Sequence, residues 1–332
     1  MSDGSPASGG NAGSGGSWER VPIDVQSVEA PLSRAAVFLV LEAAEGDEAL
    51  AGVRDLLGSI GDLVKNVGFR DLSGRLSCVV GVGATLWDRL SPDRRPKDLR
   101  AFARIDGPAH SAPSTPGDLL FHIRAEREDM TFELERQILD VAGGSARVVD
   151  ETIGFRYFDA RDLLGFVDGT ANPAGAELPD ATLITPDADP EFAGCSYVVV
   201  QKYLHDLAAW AELTIEEQQA IIGRTKVENI EIDDDDAPRK SHKSLATIET
   251  DDGGELAILR DNMPFGRPGE GEFGTYFIGY AGKLEVIERM LERMFVGVPE
   301  GSYDRILDFS TATTGTTFFV PTAAMLAGLS EG

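Results

Sequence analysis

Residues 119–139, LLFHIRAEREDMTFELERQIL, are matched later in the chain by residues 275–295, TYFIGYAGKLEVIERMLERMF. Each copy begins with an apolar run typical of a buried strand, breaks briefly, and continues with apolar residues at helical spacing. Further strands and helices are predicted around each copy. The pattern therefore favours an α+β fold of two ferredoxin-like halves, in which helices cover one face of each antiparallel sheet. The default ligand site is then the crevice between the halves.

The other predicted elements rest on the same two patterns, apolar runs for strands and spacings of three and four for helices. In the first half the predictions are strands at 34–42, 76–82, 119–124, 146–150 and 154–158 and helices at 47–67 and 129–141. In the second half they are strands at 196–203, 256–259, 275–280 and 316–320, the last closing the chain, and helices at 213–222 and 284–295. Thr214 and Glu217 are spaced as a capping box. The long segment 233–267 is polar and loop-like in places, and such segments usually serve a function.

The chain divides into four predicted segments: a disordered leader at 1–30, an N-terminal half at 31–160, a C-terminal half at 161–326 and a tail at 327–332. Residues 1–17 are almost entirely Gly, Ser, Ala, Asn, Asp and Pro, which bury too little apolar surface to fold. They lack the basic and apolar regions of a signal peptide. Because no apolar stretch is long enough to span a bilayer, we expect a soluble, cytoplasmic protein.

Charge and cysteine content exclude several classes of partner and site. The 332 residues carry a formal net charge of −26, which is unsuited to the phosphates of nucleic acids and to anionic membranes. Cys78 and Cys195 lie in or beside apolar runs and are expected to be buried thiols. Since no C-x-x-C motif is present, the sequence does not support a zinc ribbon, a thioredoxin-type site or a covalently attached c-type haem.

Residues 162–173, DLLGFVDGTANP, contain a carboxylate in apolar company. Asp168 follows apolar residues and lies between Gly165 and Gly169. Such a charge is costly unless something uses it, and the two glycines would let the backbone pass close to a bulky flat group. The alternative is an ordinary Asp-Gly turn at the surface, which the segment taken alone favours.

Four histidines and one arginine are further candidates. His242 leads from a polar loop into an apolar stretch, and a loop histidine is usually just solvated. His122 lies within a predicted strand and is expected in the core, whereas His110 lies in a loop and is expected to be exposed. His205 stands at a predicted helix start, where it could act as a cap. Arg260 ends an apolar run, either as a solvated strand end or as a cation at the mouth of a pocket.

Several motifs taken together resemble the dye-decolourising peroxidases, most closely their bacterial cytoplasmic class B. These motifs are RDLLGFVDGTANP around Asp168, RTK at Arg224, SH at His242 and ILRDNMPFG around Arg260, in the order and approximate spacing of the family. The resemblance covers residues 31–326. It implies a duplicated ferredoxin-like fold, similar to dimeric α/β barrels, with haem in the C-terminal half between the antiparallel sheets and the covering helices.

The resemblance also implies a cofactor, one haem b per chain. His242 corresponds to the axial ligand of the haem iron. Asp168 and Arg260 correspond to the pair on the opposite, distal side of the haem, and Asn262 to a small polar distal residue. Arg224 matches a residue that pairs with a haem propionate, as guanidinium geometry suits a carboxylate.

The family also has an aspartate that accepts a hydrogen bond from the axial histidine. Asp304 and Asp308 are both candidates, and Asp304 matches the family position better. Gly169 is expected at the cofactor for the backbone reason given above. Many relatives carry a glutamate where this chain has Ala171, so a cation-binding role of that carboxylate is in doubt. The run 233–236 is expected to be a solvated loop, because it lacks the ligand spacing of a calcium loop.

The implied activity is reduction of hydrogen peroxide through a ferryl haem, followed by one-electron oxidation of organic reductants such as dyes and phenolics. Asp168 would transfer the peroxide proton, and Arg260 would stabilise charge on the departing oxygen. Bulky reductants would need electron relays at the surface. The candidates by residue type are Trp87, Trp210, Tyr203, Tyr276 and Tyr280, most of them expected in the core.

Two other functions fit a haem-binding chain, a haem carrier and a protein that releases iron from haem. A carrier needs the histidine ligand but has little use for a distal Asp–Arg pair, so the peroxidase is favoured. Homo-oligomers are common in the family. Some relatives are cargo of protein nanocompartments and carry a C-terminal targeting tail; no such tail is obvious before Gly332, so packaging is not expected.

Overall fold

The computed structural model describes residues 25–250 and 253–331, and two strand–helix units dominate them. The elements up to residue 155 are β1 (Ala35–Ala43), α1 (Asp47–Gly68), β2 (Ser77–Gly83), α2 (Ala84–Leu90), β3 (Ile105–Asp106), β4 (Ser111–Ala112), β5 (Leu119–Ala125), α3 (Glu128–Ala142) and β6 (Ala146–Phe155). The quoted repeat is therefore β5–α3. It pairs β5 with β1 and β2, and α3 packs beside α1.

The second unit repeats this plan with additional short elements. They are α4 (Glu177–Thr182), β7 (Ser196–His205), α5 (Leu207–Ala211), α6 (Ile215–Ile222), α7 (His242–Ala246), β8 (Ile248–Glu249), β9 (Glu255–Leu256), β10 (Leu259–Arg260), β11 (Met263–Arg267), β12 (Glu272–Ala281), α8 (Leu284–Phe295), β13 (Ser310–Ala312), β14 (Thr316–Val320) and α9 (Ala323–Glu331). The second copy of the repeat is β12–α8, and α8 has the predicted bounds. The capping box predicted at Thr214 and Glu217 is present.

Both units contribute to one antiparallel sheet of ten strands, which joins the two predicted sheets. Its order is β10-β12-β7-β14-β2-β5-β1-β6, with β11 added to β12 and β13 to β7. The halves meet where β14 pairs with β2, at Phe318 opposite Gly83 and Phe319 opposite Val82. The central strands are buried along almost their whole length, which explains their continuous apolar runs. The α+β duplicated architecture is thus confirmed.

Three predictions about the strands were wrong in detail. The strands expected at 146–150 and 154–158 are one strand, β6, because it pairs with β1 throughout and only a bulge opposite Val40 and Leu41 interrupts the register. The strand expected at 256–259 is split between β9 and β10, which pair with different partners. The strand expected to close the chain is followed by α9, whose Leu326 and Leu329 are buried and which packs on α1.

The predicted leader lies mostly outside the described residues. Its last part does not follow the prediction of disorder: residues 27–29 form a 3-10 turn in which Val28 is buried against the sheet, and Thr182 donates to the Glu29 carboxylate at 3.0 Å. The domain boundary between residues 160 and 161 stays a prediction. In the described parts of the chain, no helix is long and apolar enough to cross a membrane.

Candidate functional site

A cavity with about 860 Å³ of empty space lies within the second half, between the sheet and the helices that cover it. Strands β7 and β12 supply Tyr203, His205, Thr275 and Phe277, and helices α7 and α8 supply His242, Ala246, Met290, Leu291 and Met294. The expectation of a site in the crevice between the halves is corrected, because every lining residue falls between 162 and 310.

His242 enters this cavity from the first turn of α7. Ser241 caps the helix by accepting a hydrogen bond from the Ser244 N–H, so the histidine is held at a helix start. Its Nδ1 lies 2.7 Å from Oδ2 of Asp304, a fully buried carboxylate. Burial alone would lower the pKa of His242, but the charge and hydrogen bond of Asp304 outweigh it and raise that pKa. With Nδ1 engaged, Nε2 is the ring nitrogen available to a ligand.

The choice between the two aspartates follows from these contacts. Asp304 caps the 3-10 turn at 305–308 by accepting from the Ile306 N–H at 3.1 Å, which holds its second oxygen toward His242. Asp308 instead lies 2.9 Å from Nε2 of His110 and accepts from the Tyr303 hydroxyl at 3.0 Å. The structure therefore brings Asp304, and not Asp308, to the histidine.

Asp168 lines the same cavity from a tightly turned segment. Gly165 and Gly169 both have positive φ, +96° and +77°, which explains the two glycines that flank the aspartate. The Gly169 N–H donates to Oδ1 of Asp168 at 2.7 Å, and Nδ2 of Asn262 donates to Oδ2 at 3.1 Å. The segment is thus a turn, as the simpler alternative proposed, and it also presents its carboxylate to the cavity.

Asn262 has its amide orientation imposed by the sheet. Its Oδ1 accepts from the Ile278 N–H of β12 at 3.1 Å, so the Nδ2 group must face Asp168. Asn172, which the motif analysis passed over, holds the neighbouring backbone at Arg260. Its side chain accepts from the Arg260 N–H at 3.0 Å and donates to the Arg260 carbonyl at 2.7 Å. In the sequence, the only indication of this role was the Asn172-Pro173 pair that ends the segment 162–173.

Arg260 faces the cavity as a poorly solvated cation. Its Nε is buried without a hydrogen-bond partner among the described residues. Burial lowers its pKa, the Asp168 carboxylate opposes that effect, and the nearby Arg224 adds to it. No salt bridge joins Arg260 to Asp168 in the described structure, since the carboxylate is held by Gly169 and Asn262. The guanidinium therefore remains available to a ligand.

Two predicted cofactor contacts are not among the cavity-lining residues. Arg224 is directed to the Glu231 carboxylate and to the Asn229 carbonyl, the latter at 3.1 Å. Gly169 lines a smaller neighbouring cavity of about 420 Å³, whose wall toward the main cavity contains Asp168, Arg260 and Asn262. The predicted roles of Arg224 and Gly169 stay predictions.

Two titratable residues of the cavity were not recognised as site residues. His205 ends β7 and lies 2.8 Å from the Ser310 hydroxyl and 2.9 Å from that of Thr275. Burial lowers its pKa to about 4, so it is neutral at pH 7. The predicted capping role is wrong, because the cap of α5 is Asp206, which accepts from the Ala209 N–H. Asp162, at the start of the quoted segment, also lines the cavity and accepts from the Phe166 N–H at 2.9 Å.

Replacing Asp162 with asparagine should stabilise the cofactor-free protein at alkaline pH. Burial raises the pKa of Asp162 from 3.8 to about 7, the Phe166 N–H partly offsets this, and the Asp168 charge adds to it. Above pH 4 the unfolded chain ionises more readily than the folded one, so the folded state loses stability until about pH 7. An uncharged amide at this position would avoid this loss, with an upper limit of about 4 kcal/mol at pH 8 that shrinks toward pH 4.

Urea unfolding of the wild type and the Asp162→Asn variant at pH 8 and pH 5 measures this difference. Asp159→Asn, at a carboxylate that is 74% exposed three residues earlier, is the matched control and should show no such gain. An Asp162→Asn variant that is less stable than wild type at pH 8 would contradict the raised pKa.

The other sequence candidates are buried. His122 is fully buried with Nδ1 2.8 Å from the Tyr280 hydroxyl, as expected of a core residue, and His110 is half-buried rather than exposed because it packs against Tyr303 and Asp308. Cys195 is buried and Cys78 half-buried. The five aromatic candidates for surface relays, Trp87, Trp210, Tyr203, Tyr276 and Tyr280, are all at most 7% exposed, so none is a surface residue.

The residues present fit haem better than a bare metal ion. Among the described residues, no group of three or more His, Cys, Asp or Glu side chains could hold a metal. A porphyrin brings four nitrogen ligands of its own and needs one axial histidine, a largely apolar cavity and little else. His242, with Nδ1 bound to a buried carboxylate, has the arrangement usual for a metal-ligating imidazole. Arg260 also lines the cavity and forms no salt bridge among the described residues, so its guanidinium is available to a small polar molecule.

Comparisons with known proteins agree with this site. Family models described as Dyp-type peroxidase, N-terminal, and Dyp-type peroxidase, C-terminal, match residues 26–156 and 159–325. The dye-decolorizing peroxidase of Mycolicibacterium paratuberculosis is 54% identical over 92% of this chain and 85% of its own length. More distantly, proteins of Escherichia coli named deferrochelatase align at 29–30% identity over 46% of this chain.

Two solved structures extend the likeness to the whole fold. A variant of DypB from Rhodococcus jostii RHA1 in complex with haem has a TM-score of 0.87 and 59% identity, over 90% of this chain and 96% of its own. The encapsulated DyP-type peroxidase from Mycobacterium smegmatis has a TM-score of 0.88 and 55% identity, over 92% and 97%. Sequence, fold and cavity therefore place this chain in the family of DyP-type peroxidases, which are haem enzymes.

Proposed function

We propose that the cavity would hold haem b through Nε2 of His242, and that Asp168, Arg260 and Asn262 act on hydrogen peroxide bound in the same cavity. The observation that carries the proposal is that two sets of groups line one cavity. The first is an imidazole whose other nitrogen is held by buried Asp304, and the second is a carboxylate, a guanidinium and an amide. Haem supplies the iron at which the peroxide O–O bond is cleaved and from which oxidising equivalents pass to organic reductants.

The distal residues perform the proton transfer that this reaction needs. Asp168 would accept a proton from one oxygen of hydrogen peroxide and return it to the other oxygen, which leaves as water. Asn262 donates to one carboxylate oxygen and so keeps the carboxylate turned toward the cavity. Arg260 carries a positive charge in a poorly solvated position, where it stabilises negative charge on the departing oxygen.

Asp304 acts through His242. As a buried carboxylate 2.7 Å from Nδ1, it selects the tautomer that leaves Nε2 free and increases the electron density of the imidazole. If haem were bound through His242, a more basic imidazole would favour oxidised iron. Asp304 would thus support the same reaction as Asp168, Arg260 and Asn262, through His242.

The direct test is a visible spectrum of the purified protein loaded with haem, followed by rapid mixing with hydrogen peroxide. We expect a Soret band and a fast change of that band, with turnover of a phenolic reductant or dye. No Soret band would contradict the whole assignment. A Soret band that is insensitive to peroxide would favour a haem carrier, and protoporphyrin without iron as product would favour iron release.

The Asp168→Asn variant should retain haem and react with peroxide about 10²-fold more slowly, within the range typical of general acid–base catalysis. Asparagine preserves the shape and the acceptor for the Gly169 N–H but cannot take a proton. Stopped-flow measurement of the Soret change at several peroxide concentrations determines the rate constant. A wild-type rate would show that Asp168 has only a structural role.

Family membership indicates the class of reaction more directly than it indicates partners, cellular location or assembly. Hydrogen peroxide and organic reductants are the proposed substrates, and the negative charge disfavours nucleic acid and anionic membranes. Cytoplasmic location, homo-oligomerisation and the class B branch stay predictions. The expectation that the chain is not packaged is not confirmed, because the similar Mycobacterium smegmatis protein is encapsulated. Co-expression with a nanocompartment shell protein, followed by purification of intact shells, would test packaging.

A further inference from the structure

Asp261 lies between two proposed distal residues but faces away from the main cavity. Arg260 and Asn262 both line that cavity, whereas the Asp261 side chain is 2% exposed and contacts the first half of the chain. Its Oδ2 accepts from Nη1 of Arg124 at 2.8 Å, and Arg124, in β5, is 1% exposed. The alternation of side chains along an extended segment explains this opposite placement.

The segment that carries Arg260 and Asn262 has few regular backbone anchors. It bridges the gap between β10 and β11, and at this gap the Ile278 N–H bonds the Asn262 side chain instead of a backbone carbonyl. Arg260 pairs with Gly279 at the end of the β10–β12 ladder, and the other backbone contacts are the Asp261 N–H to the Ile278 carbonyl at 3.2 Å and the two bonds of Asn172 to Arg260. The Arg124–Asp261 ion pair is the one charged anchor of this segment among the described residues.

Stability does not explain this ion pair. Burying two charges removes their hydration, and well-packed apolar residues are often as stabilising as a buried pair. The pair is also incompletely satisfied, because Nε of Arg124 and Oδ1 of Asp261 are buried without partners in the described structure. A buried pair with directional geometry can instead hold one backbone position against another.

His122 does not take the place of Arg124. Its Nε2 lies 3.8 Å from Oδ2 of Asp261, too far for a hydrogen bond, and its Nδ1 faces the Tyr280 hydroxyl. Burial and then the Arg124 charge lower the pKa of His122 well below 6.5, so the ring is neutral. Arg124 is further held by the Ser27 and Ala30 carbonyls, which tie it to the start of the described chain.

We propose that Arg124 and Asp261 are positioning residues for the reaction with peroxide. Arg124 belongs to the first half, and its bond to Asp261 fixes the backbone between Arg260 and Asn262. The pair thereby sets where the side chains of Arg260 and Asn262 lie in the cavity. The first half thereby takes part in a site to which it contributes no lining residue. This inference rests on the proposed function of Arg260 and Asn262.

The test compares two single variants, Arg124→Met and Asp261→Leu, with the double variant that contains both. Each single variant leaves one buried charge unpaired, so its urea midpoint without haem should fall. The double variant has no buried charge and similar total volume, so its midpoint should return close to wild type. We nevertheless expect its reaction with peroxide to stay at least about 10-fold slower, because apolar contact lacks the directional anchor. Arg127→Met, at an exposed ion pair two residues beyond β5, is the control and should change neither quantity.

Recovery of both the midpoint and the peroxide rate in the double variant would overturn the proposal, since the pair would then be merely structural. If the double variant fails to fold, a comparison of Asp261→Asn with Asp261→Leu replaces it, because the Asn oxygen still accepts a hydrogen bond from Arg124 whereas Leu cannot. We expect Asp261→Asn to react faster with peroxide than Asp261→Leu, and equal rates would contradict the proposal. A crystal structure of the double variant gives a readout that is independent of activity. We expect the 3.1 Å contact between Asn262 and Asp168 to be lost in it. An unchanged contact would also contradict it.

A mutant cycle that combines the double variant with Arg260→Met separates the positioning role of the ion pair from the proposed role of Arg260. If the pair acts through Arg260, adding the double substitution to Arg260→Met should slow the reaction little further. A full additional loss would contradict action through Arg260. A wild-type rate in Arg260→Met alone would instead refute the proposed function, whatever the pair does.

Discussion

Arg260→Met is expected to bind haem normally and to react with hydrogen peroxide about 10³-fold more slowly, near the upper end of what one preorganised electrostatic contact contributes. The reason is the position of the guanidinium. It lines the cavity, its Nε has no protein partner in the described structure, and the Asp168 carboxylate is already held by Gly169 and Asn262. Its charge is therefore available to the oxygen that departs from peroxide. Methionine keeps an unbranched side chain but removes the charge.

The measurement is the second-order rate constant of the Soret change after rapid mixing, together with a haem titration of the cofactor-free variant. Arg267→Met is the matched control, because Arg267 ends the neighbouring strand β11 and pairs with Glu270 at the surface. It should retain the wild-type rate. If Arg260→Met also reacted at the wild-type rate, the cation would have no part in cleaving peroxide.

His242→Ala is expected to lose most of its haem affinity, by at least about 10²-fold, since even substitutions of residues that hold a metal ligand cost about 10–100-fold. The axial nitrogen is removed, and the buried Asp304 carboxylate is left without its imidazole partner. The second effect should also lower the stability of the protein without haem, because an unpaired buried charge is costly. Haem titration followed at the Soret band, with urea unfolding in parallel, measures both losses.

His205→Gln provides the control for this experiment. His205 lines the same cavity, but its two ring nitrogens contact the Ser310 and Thr275 hydroxyls and no carboxylate. The haem-loaded His205→Gln variant should therefore show the same visible spectrum as the haem-loaded wild type. If His205→Gln changed the axial ligation and His242→Ala did not, the two histidines would have to exchange roles.

Much of the fold could be predicted because it depends on local patterns. The apolar stripe of α8 determined its bounds, and the continuous apolar runs of β1, β5 and β7 identified buried strands. The errors fall where partners decide the structure. Strand β6 is continuous because β1 pairs with all of it, and the residues at 256–259 are divided because β9 and β10 find different strands.

The same division applies to the site. The resemblance to the peroxidase family predicted His242, Asp168, Arg260 and Asn262 as site residues, and the structure brings all four to one cavity. Which carboxylate supports His242 was settled only by the 3-10 turn that directs Asp304 inward and leaves Asp308 to His110. Local sequence cannot encode that difference, since both aspartates belong to one short motif.

The sequence by itself determined the class of fold and the strongly negative net charge, and its family resemblance supplied the candidate site residues in the second half. Only the tertiary structure decided that Asp162 and His205 line the cavity and that β12 orients the Asn262 amide toward Asp168. It also revealed Arg124, 137 residues before Asp261, as the partner behind the distal segment. The physical reason is that a hydrogen bond or a buried ion pair depends on distance in space, and residues far apart in the chain acquire that distance only when the sheet forms.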